Sequence, residues 1–287
     1  MGVPLQRPEH LSEDELKDPE MREQLAHVDF DQPNIARMYD YWLGGSTNFA
    51  IDRAVVEQAR KDGTHEQEYC WANRGFLGRA VRVLTRDYGL DQFLDLGSGV
   101  PTVGNVHEIA HQENPHARIA YVEWETIAVH HARRLLGDDE RRVTVTQADV
   151  ADPESVLSAP GVAGLLDFTR PVVVLACGVV ELLPQPDLTP LVLRYRQTCA
   201  SGSALVLSHN AQLTRTDEEV AYLRQAMAGS DTPFLAMRTR AEVTALLPGY
   251  ELLEPGVVPT AAWRPEQPVD EAEAARSNAY AAVGLLP

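Results

Sequence analysis

The sequence predicts an α/β fold: a doubly wound, mostly parallel sheet, preceded by a helical lid and completed by an antiparallel hairpin at the C-terminal edge. From residue 91 onward, short apolar runs alternate with segments of helical periodicity. Apolar strands separated by helices are typical of a parallel sheet that is covered on both faces. Before residue 91 the chain shows only helical patterns, with apolar residues three and four positions apart.

The pattern divides the chain into three sections. Residues 1–30 are polar and acidic, and we expect an arm with one short helix, "SEDELKDPEMREQLAH", capped by Ser12. Residues 31–90 are expected to form the helical lid, and residues 91–287 the α/β domain.

Three helices are predicted in the lid. In "DQPNIARMYDYWLGG", Asp31 is placed to cap the first helix, Pro33 lies in its first turn, and a glycine pair ends it. The segment "STNFAIDRAVVEQARKDG" gives the second helix and "YCWANRGFLGRAVRVLTRDYG" the third. The predicted apolar face of the third helix consists of Trp71, Phe76, Leu77, Val81 and Leu84.

Five strands are predicted in the parallel part of the sheet, at residues 92–97, 118–123, 143–149, 171–177 and 203–210. Two further strand-like pieces, "YELLEPGVVPTAAW" and "SNAYAAVGLLP", are expected to form the antiparallel hairpin at the sheet edge.

Composition excludes several classes of protein. The 287-residue chain has a net charge of −17, which argues against a nucleic-acid binder because phosphate neutralisation needs clustered Lys and Arg. Cys70, Cys177 and Cys199 are far apart in the sequence, so we predict no disulfide framework. The adjacent His130 and His131 are expected to face solvent and have no third ligand at metal spacing, so we predict no metal site. No apolar run approaches the roughly 18 residues of a membrane span. A cytoplasmic protein is expected, with a homodimer as one option for its assembly.

Ligands of an open parallel sheet bind beyond the carboxyl ends of the strands. The first predicted strand ends in "DLGSGVPT", where Gly97 and Gly99 allow the backbone to approach a ligand closely. Glycine turns after strands are common, so this loop alone decides little. The second strand ends at Glu123, which is either an exposed carboxylate or an acceptor for both hydroxyls of a ribose.

The third strand ends at Asp149, which is followed by Val150. A carboxylate there can accept from the amine of an adenine while the apolar neighbour packs on the ring; alternatively Asp149 caps the next helix, although Asp152 suits that role better. The three strand ends together suit an adenosine. The loop "GSGVPT" has Thr102 where a dinucleotide site has glycine, and no P-loop exists, so the expected cofactor is S-adenosylmethionine.

Residues 92–210 resemble a class I S-adenosylmethionine-dependent methyltransferase, whose sheet is Rossmann-like. More narrowly, "DQPNIARMYDYWLGGSTNFAIDR", "ANRGFLGRAV", "QFLDLGSGVPTVGNVHEIA" and "AYVEWE" resemble a bacterial S-adenosyl methyltransferase family formerly listed as a domain of unknown function. This resemblance runs from about residue 30 to the C-terminus. The cofactor-binding residues that follow from these patterns and this resemblance are Tyr39, Gly44, Gly45, Arg74, Asp95, Gly97, Ser98, Gly99, Glu123, Trp124, Asp149 and Val150.

The resemblance also implies where these residues face. Residues 97–99 would face the methionine part of the cofactor, and Arg74 would clasp its carboxylate, unless it forms an ion pair between helices. The family's Asp-Asn-Asp-Pro element is replaced by "EWET", in which Trp124 can either stack on the adenine or narrow the pocket. Its Leu-His element is replaced by "GVVELLP", and its basic C-terminal ending is missing.

Methyl transfer needs the nucleophile, methyl and sulfur held in line, and a general base helps when the acceptor is a hydroxyl or amine. Glu181 and His209 are the candidates for that base. Alternatively, Glu181 only lines the cofactor side and His209 is a hydrogen-bonded residue at a strand end. Aromatic residues of the lid either pack in its core or contact a cationic substrate.

Three functions remain open on these grounds. The favoured one is a methyltransferase acting on a small molecule, with a secondary metabolite as one option. The second is another use of the same cofactor, such as a cyclisation or an internal displacement. The third is a non-catalytic protein that binds S-adenosylmethionine.

Overall fold

Eight strands form one sheet at the centre of the computed structural model, which describes residue 29, residues 31–136 and residues 141–287. In chain order they are β1 (Gln92–Leu96), β2 (Arg118–Glu123), β3 (Val143–Gln147), β4 (Val173–Cys177), β5 (Ala204–Asn210), β6 (Glu251–Leu252), β7 (Val258–Pro259) and β8 (Ala279–Leu285). Their order across the sheet is β3-β2-β1-β4-β5-β8-β6, and β7 also pairs with β8. The predicted doubly wound, mostly parallel sheet is confirmed.

The sheet reverses its winding direction between β1 and β4. From β1 the chain moves outward through β2 and β3, then returns to β4 on the other side of β1 and continues outward to β5. These five strands are parallel, with Asp95 of β1 opposite Tyr121 of β2 and Leu175 of β4. The carboxyl ends of β1, β2 and β4 therefore meet at one edge, which is where such sheets bind ligands.

The C-terminal edge is antiparallel. Strand β8 pairs antiparallel with β5 along seven residues, and the two-residue strands β6 and β7 pair antiparallel with β8. The segment predicted as a hairpin thus supplies one long strand next to β5 and two short outer pieces.

Helices cover the sheet and its carboxyl edge. In chain order they are α1 (Ile35–Trp42), α2 (Ala50–Lys61), α3 (Glu66–Tyr88), α4 (Val106–Glu113), α5 (Thr126–Leu136), α6 (Pro153–Ser158), α7 (Pro160–Ala163), α8 (Thr189–Thr198), α9 (Asp217–Ala228), α10 (Arg240–Ala245) and α11 (Glu271–Ala275). Two short 3₁₀ turns occur at Val180–Leu182 and Thr260–Ala262.

Two details of the predicted helices are wrong. The cap of α1 is Asn34 instead of Asp31: its backbone is extended, and its Oδ1 accepts from the N–H of Arg37 at 3.0 Å. Pro33 therefore precedes the cap. On α3, Trp71 lies on the exposed side with 45% of its surface accessible, whereas Phe76 is fully buried. The predicted short helix of the N-terminal arm lies outside the described residues.

Both faces of the sheet are buried, because successive strand residues point to opposite sides. Phe93 of β1 packs with α3 and α4 in one apolar cluster, while Leu94 packs with α6, α8 and α10 in another. The second half of α3, including Phe76, thus belongs to the core of the sheet although its sequence lies before residue 90. The predicted three-section division stays a prediction.

A third apolar cluster lies at the carboxyl edge of the sheet. It joins α1, α2, the start of α3 and α9, through residues such as Met38, Val56, Tyr69 and Met227, and it contacts Ala279 at the start of β8. We call α1 and α2 the lid, since they rest on the edge where β1, β2 and β4 end.

We expect Phe76→Ala to lower the free energy of unfolding by about 3–5 kcal/mol, because it removes a buried ring from a packed core. The ring of Phe76 meets Trp263 edge-on, with 5.4 Å between centroids. Urea unfolding followed by circular dichroism measures the change. The matched control on the same helix is Trp71→Ala, which should change the free energy by less than about 0.5 kcal/mol because Trp71 is exposed. Equal losses in both variants would contradict the assignment of the buried face.

Candidate functional site

The loop after β1 is fixed to the neighbouring strand and leaves open space beside its backbone. The N–H groups of Gly97 and Ser98 both donate to the carbonyl of Val122, at 2.8 and 3.1 Å. Gly97 and Gly99 have φ values of 65° and 66°, in the left-handed region that favours glycine. A Cβ on Gly97 would lie 2.3 Å from the side chain of Val179, whereas a Cβ on Gly99 would meet no atom within 4 Å. A ligand can therefore approach the backbone at Gly99.

Glu123 at the end of β2 ties this loop to the next one. Its Oε2 accepts from the N–H of Gly99 at 2.7 Å, and its Oε1 accepts from the N–H groups of Trp124 and Glu125 at 2.8 and 2.9 Å. Burial raises the pKa of this carboxyl, with the three N–H groups opposing that shift. A carboxylate offers about four acceptor positions, so this fixed group retains capacity for a ligand hydroxyl.

A cation and an acid lie near each other behind the loop. Burial raises the pKa of Asp95 to about 7, and the nearby guanidinium of Arg74 opposes that shift. The Nε of Arg74 is buried and has no hydrogen-bond partner among the described residues, and no described carboxylate forms an ion pair with this side chain. The ion pair between helices, considered as an alternative for Arg74, is therefore not found in the part of the chain that the structure describes. An available guanidinium beside a buried carboxyl suits a zwitterionic ligand.

These groups line a cavity at the switch point of the sheet, which we call the first cavity. It encloses about 750 Å³ of empty space, counting the part open to solvent. Eight of the predicted cofactor residues line it together: Tyr39, Arg74, Asp95, Gly97, Ser98, Gly99, Glu123 and Trp124. The indole of Trp124 is half exposed and presents an apolar ring at this cavity.

A second cavity adjoins the first beneath the lid. It encloses about 680 Å³, again counting open space, and its walls come mainly from α1, α2, the start of α3 and α9. The residues that line both cavities, and so mark the wall that they share, are Ile35, Tyr39, Gly178 and Leu182. Apart from Glu66, Glu181 and Asn210, the lining of the second cavity is apolar or aromatic.

Glu181 brings a carboxylate into the second cavity. It lies in the 3₁₀ turn after β4 and is 1% exposed. Its Oε1 accepts from the hydroxyl of Tyr69 at 2.8 Å, while its Oε2 is buried and has no hydrogen-bond partner among the described residues. The structure therefore places Glu181 beside the first cavity, not within its lining.

His209 does not fit the role of a general base. It is fully buried in β5 and lines neither cavity. Its Nδ1 lies 2.8 Å from the carbonyl oxygen of Asn210, and its Nε2 contacts the guanidinium of Arg238. A carbonyl only accepts and a guanidinium only donates, so the ring is neutral with both nitrogens engaged. Burial lowers the pKa of His209, in agreement with this state. His209 therefore matches the alternative given for it from the sequence, a hydrogen-bonded histidine at the end of a strand.

Four other predicted residues lie outside the first cavity. Asp149 is exposed and accepts from the N–H of Ala151 at 2.8 Å, and Val150 is buried in the apolar core on one face of the sheet. The cap of α6 is Asp152, so the alternative of Asp149 as the cap is wrong, and the residue that suited the role better holds it. The adenine contact of Asp149 and Val150 stays a prediction.

The glycine pair ends α1. Gly44 has a φ of 84°. A Cβ on Gly45 would lie 1.9 Å from Oδ1 of Asp40, so glycine is required where the chain folds over that carboxylate. Neither glycine lines the first cavity, and their contact with a cofactor stays a prediction.

The same Asp40 is a residue that sequence reasoning missed. Its Oδ1 accepts from the hydroxyl of Thr102 at 2.6 Å, and its Oδ2 accepts from the amide of Asn48 at 2.8 Å. Thr102 occupies the position where a dinucleotide site has its last glycine. Threonine in place of that glycine was the signal in the sequence that could have pointed to this contact. In the structure, the hydroxyl of Thr102 joins the loop after β1 to Asp40 of the lid.

A buried ion-pair network ties the lid to the loop after β2. Arg37 of α1 donates from Nε to Asp52 at 2.7 Å and from Nη1 to Glu125 at 3.1 Å. Glu125 belongs to the "EWET" segment, in which only Glu123 and Trp124 were singled out. Burial raises the pKa of Glu125 to about 7, with Arg37 opposing that shift. His131 of α5 likewise contacts the lid, with Nε2 3.2 Å from Oγ1 of Thr47, so it does not simply face solvent.

Metal and membrane features are not found in the described part of the chain. No group of three or more His, Cys, Asp or Glu there could hold a metal ion, and the three cysteines are free. No helix within the described ranges is long and apolar enough to cross a bilayer.

The sheet order, the glycine loop and the acids at the ends of β1 and β2 define a class I S-adenosylmethionine-dependent methyltransferase. The chain belongs to the S-adenosyl methyltransferase family, whose model matches residues 21–287. The predicted family, enzyme class and cofactor are thereby confirmed.

Two solved structures are similar over nearly their whole length. A candidate methyltransferase from Thermobifida fusca YX is 38% identical, with a TM-score of 0.84 over 90% of this chain and 96% of that one. A DUF574 family protein from Streptomyces avermitilis MA-4680 is 32% identical, with a TM-score of 0.81 over 90% of this chain and 100% of that one. Comparison with curated proteins found no match.

The pKa of Asp95 leads to a pH-dependent prediction for the cofactor-free protein. Because folding raises this pKa from 3.8 to about 7, the folded chain holds the proton more tightly than the unfolded chain. The stabilising contribution is present below pH 3.8 and is lost as the pH rises through about 7. We expect the unfolding free energy of the wild type, relative to Asp95→Asn, to fall by roughly 2–4 kcal/mol between pH 4 and pH 8. Urea unfolding at several pH values measures it.

The control for this series is Glu154→Gln. A hydrogen bond from Arg194 lowers the pKa of the exposed Glu154 carboxyl. The unfolding free energy of the wild type, relative to Glu154→Gln, should therefore not fall as the pH rises. If the difference in unfolding free energy between the wild type and Asp95→Asn did not change with pH, the prediction would be contradicted.

Proposed function

We propose that this methyltransferase acts on a small molecule bound in the second cavity. The observation that carries the proposal is the pair of adjoining cavities, whose shared wall includes Tyr39, Gly178 and Leu182. The net charge of −17 supports an acceptor other than a nucleic acid.

The first cavity fits the parts of S-adenosylmethionine. We assign the carboxylate of the cofactor to Arg74, because a planar guanidinium whose Nε has no hydrogen-bond partner among the described residues can clasp it in two bonds. We assign its ammonium to Asp95 and a ribose hydroxyl to Glu123. Trp124 offers a half-exposed indole for the adenine.

When bound, the cofactor supplies a methyl group already activated by the positive sulfur, so the chain has chiefly to position the acceptor. Tyr39 keeps the shared wall in place, because its hydroxyl donates to the carbonyl of Cys70 at 3.0 Å and accepts from Asn73 at 3.2 Å. Burial raises the pKa of Tyr39, so its hydroxyl stays protonated at neutral pH. We therefore assign the role of general base to Glu181, which can receive a proton at Oε2.

We expect Arg74→Met to weaken binding of S-adenosylhomocysteine about 10- to 100-fold, because it removes charge-assisted hydrogen bonds to the cofactor's carboxylate. Calorimetric titration of the folded variant measures the affinity. The matched control is Arg82→Met, two turns further along α3, whose guanidinium points to the surface acids Glu113 and Glu266. It should leave the affinity within about two-fold. If the two substitutions changed the affinity for S-adenosylhomocysteine equally, the assignment of Arg74 to the cofactor's carboxylate would be contradicted.

A product assay tests the function itself. The protein is incubated with S-adenosylmethionine and fractionated small-molecule extracts, and products are followed by mass spectrometry. Formation of S-adenosylhomocysteine together with a small acceptor heavier by one methylene is expected. Methylthioadenosine without S-adenosylhomocysteine would instead indicate internal displacement. Cofactor binding without any turnover would indicate a binding protein.

A further inference from the structure

We infer that the acceptor is a largely apolar molecule bearing an amine nitrogen, which donates its N–H to Oε2 of Glu181. This inference rests on the proposed function, because it describes the molecule that the second cavity takes. It follows from three features of that cavity: its apolar walls, the state of its two carboxylates, and the position of Glu181 next to the shared wall.

The walls favour an apolar body. Met38, Val56, Leu223 and Met227 line the second cavity, and each of them is buried. Methionine side chains adapt to ligands of irregular shape. Transfer of apolar ligand surface from water into such a cavity contributes about 25 cal/mol per Å². The body of the ligand is therefore selected by apolar contact.

The two carboxylates of the cavity differ in charge balance. Glu66 is paired with the guanidinium of Arg215 at 2.6 Å, so its charge is compensated. Glu181 forms no ion pair with any described Lys or Arg and accepts one hydrogen bond, from the hydroxyl of Tyr69. Burial raises the pKa of Tyr69, so this hydroxyl remains a neutral donor. Glu181 thus has no cationic partner among the described residues and an Oε2 without a donor.

An amine satisfies Oε2 more completely than other ligand groups. An unpaired carboxylate in an apolar site is costly, and a charge-assisted hydrogen bond offsets much of that cost. A ligand hydroxyl would supply a hydrogen bond but no charge. A carboxylate on the ligand would repel Glu181, and a hydrocarbon would leave Oε2 without a donor. An ammonium or protonated ring nitrogen supplies both the bond and the charge.

The position of Glu181 places that nitrogen near the first cavity. Glu181 lies three residues after Gly178, and the hydroxyl of its partner Tyr69 lies 3.2 Å from where a Cβ on Gly178 would be. Gly178 lines both cavities. When a bound ammonium gives up its proton, the N–H bond breaks, its electron pair stays on nitrogen, and Oε2 takes the proton. The freed nitrogen then lies near Gly178, where the two cavities adjoin.

The test measures binding to the full-length protein saturated with S-adenosylhomocysteine. Two matched sets of probes are titrated by calorimetry: phenethylamine, 3-phenylpropionate and ethylbenzene, and tryptamine, indole-3-propionate and 3-ethylindole. We expect at least one amine to bind ten-fold or more tightly than its carboxylate counterpart and its uncharged ethyl counterpart. Equal affinities within both sets, or no binding of either amine at 10 mM, would overturn the inference.

Variants assign the preference to Glu181. In Glu181→Gln, whose side chain has the same shape, the preference for amine over carboxylate should fall at least ten-fold. In Tyr69→Phe, which frees Oε1 of Glu181, the preference should persist or increase. Retention of the full preference in Glu181→Gln would overturn the assignment to Glu181. Glu57→Gln is the control, since Glu57 is held by Tyr41 and Arg60 outside both cavities, and it should bind all probes like the wild type.

The same titrations keep the inference separate from the proposed function. Binding of S-adenosylhomocysteine without any preference for amines overturns the inference alone. Methylation of a macromolecule, or of no acceptor, in the product assay overturns the proposed function even if an amine binds.

Discussion

The site depends on the buried carboxylate of Glu123. At the end of β2 it accepts three backbone N–H groups, one from the loop after β1 and two from the loop after β2. Hydrogen bonds to the carbonyl of Val122 hold Gly97 and Ser98. Glu123 holds the next residue, Gly99, together with Trp124 and Glu125, and so fixes where the open backbone at Gly99 and the main chain of Trp124 stand relative to each other.

The arrangement of charge separates two kinds of site along one wall. In the first cavity Arg74 and Asp95 provide opposite charges, as a zwitterion requires. In the second cavity Glu66 is neutralised by Arg215, and Glu181 is the carboxylate left with an unbonded oxygen among the described residues. On the proposed assignment, ligand selection at the first cavity is polar and bidentate, whereas ligand selection at the second combines apolar contact with a hydrogen bond to one carboxylate.

Sequence periodicity was sufficient for the parallel strands, most helices and the loop after β1, because these follow from local alternation and from glycine chemistry. Sequence periodicity failed where contacts between distant segments determine the position of a side chain. Trp71 fits the spacing of the apolar face of α3, yet the start of that helix buries Tyr69 and Cys70 under the lid and leaves Trp71 on its exposed side. The pairing of Asp40 with Thr102 joins residues 62 positions apart. His209 has the residue type of a base, but the neighbours that occupy both ring nitrogens cannot be predicted from one sequence.

The lid is attached to both cofactor loops: through Asp40 and Thr102 to the loop after β1, and through Arg37 and Glu125 to the loop after β2. Occupancy of the first cavity and the position of the lid are consequently coupled equilibria. Any ligand that stabilises those loops also stabilises the seated lid, and by reciprocity the seated lid strengthens the hold on that ligand by the same factor. Because α1 and α2 also line the second cavity, the proposed acceptor site is linked through the same contacts to the loops that hold the cofactor.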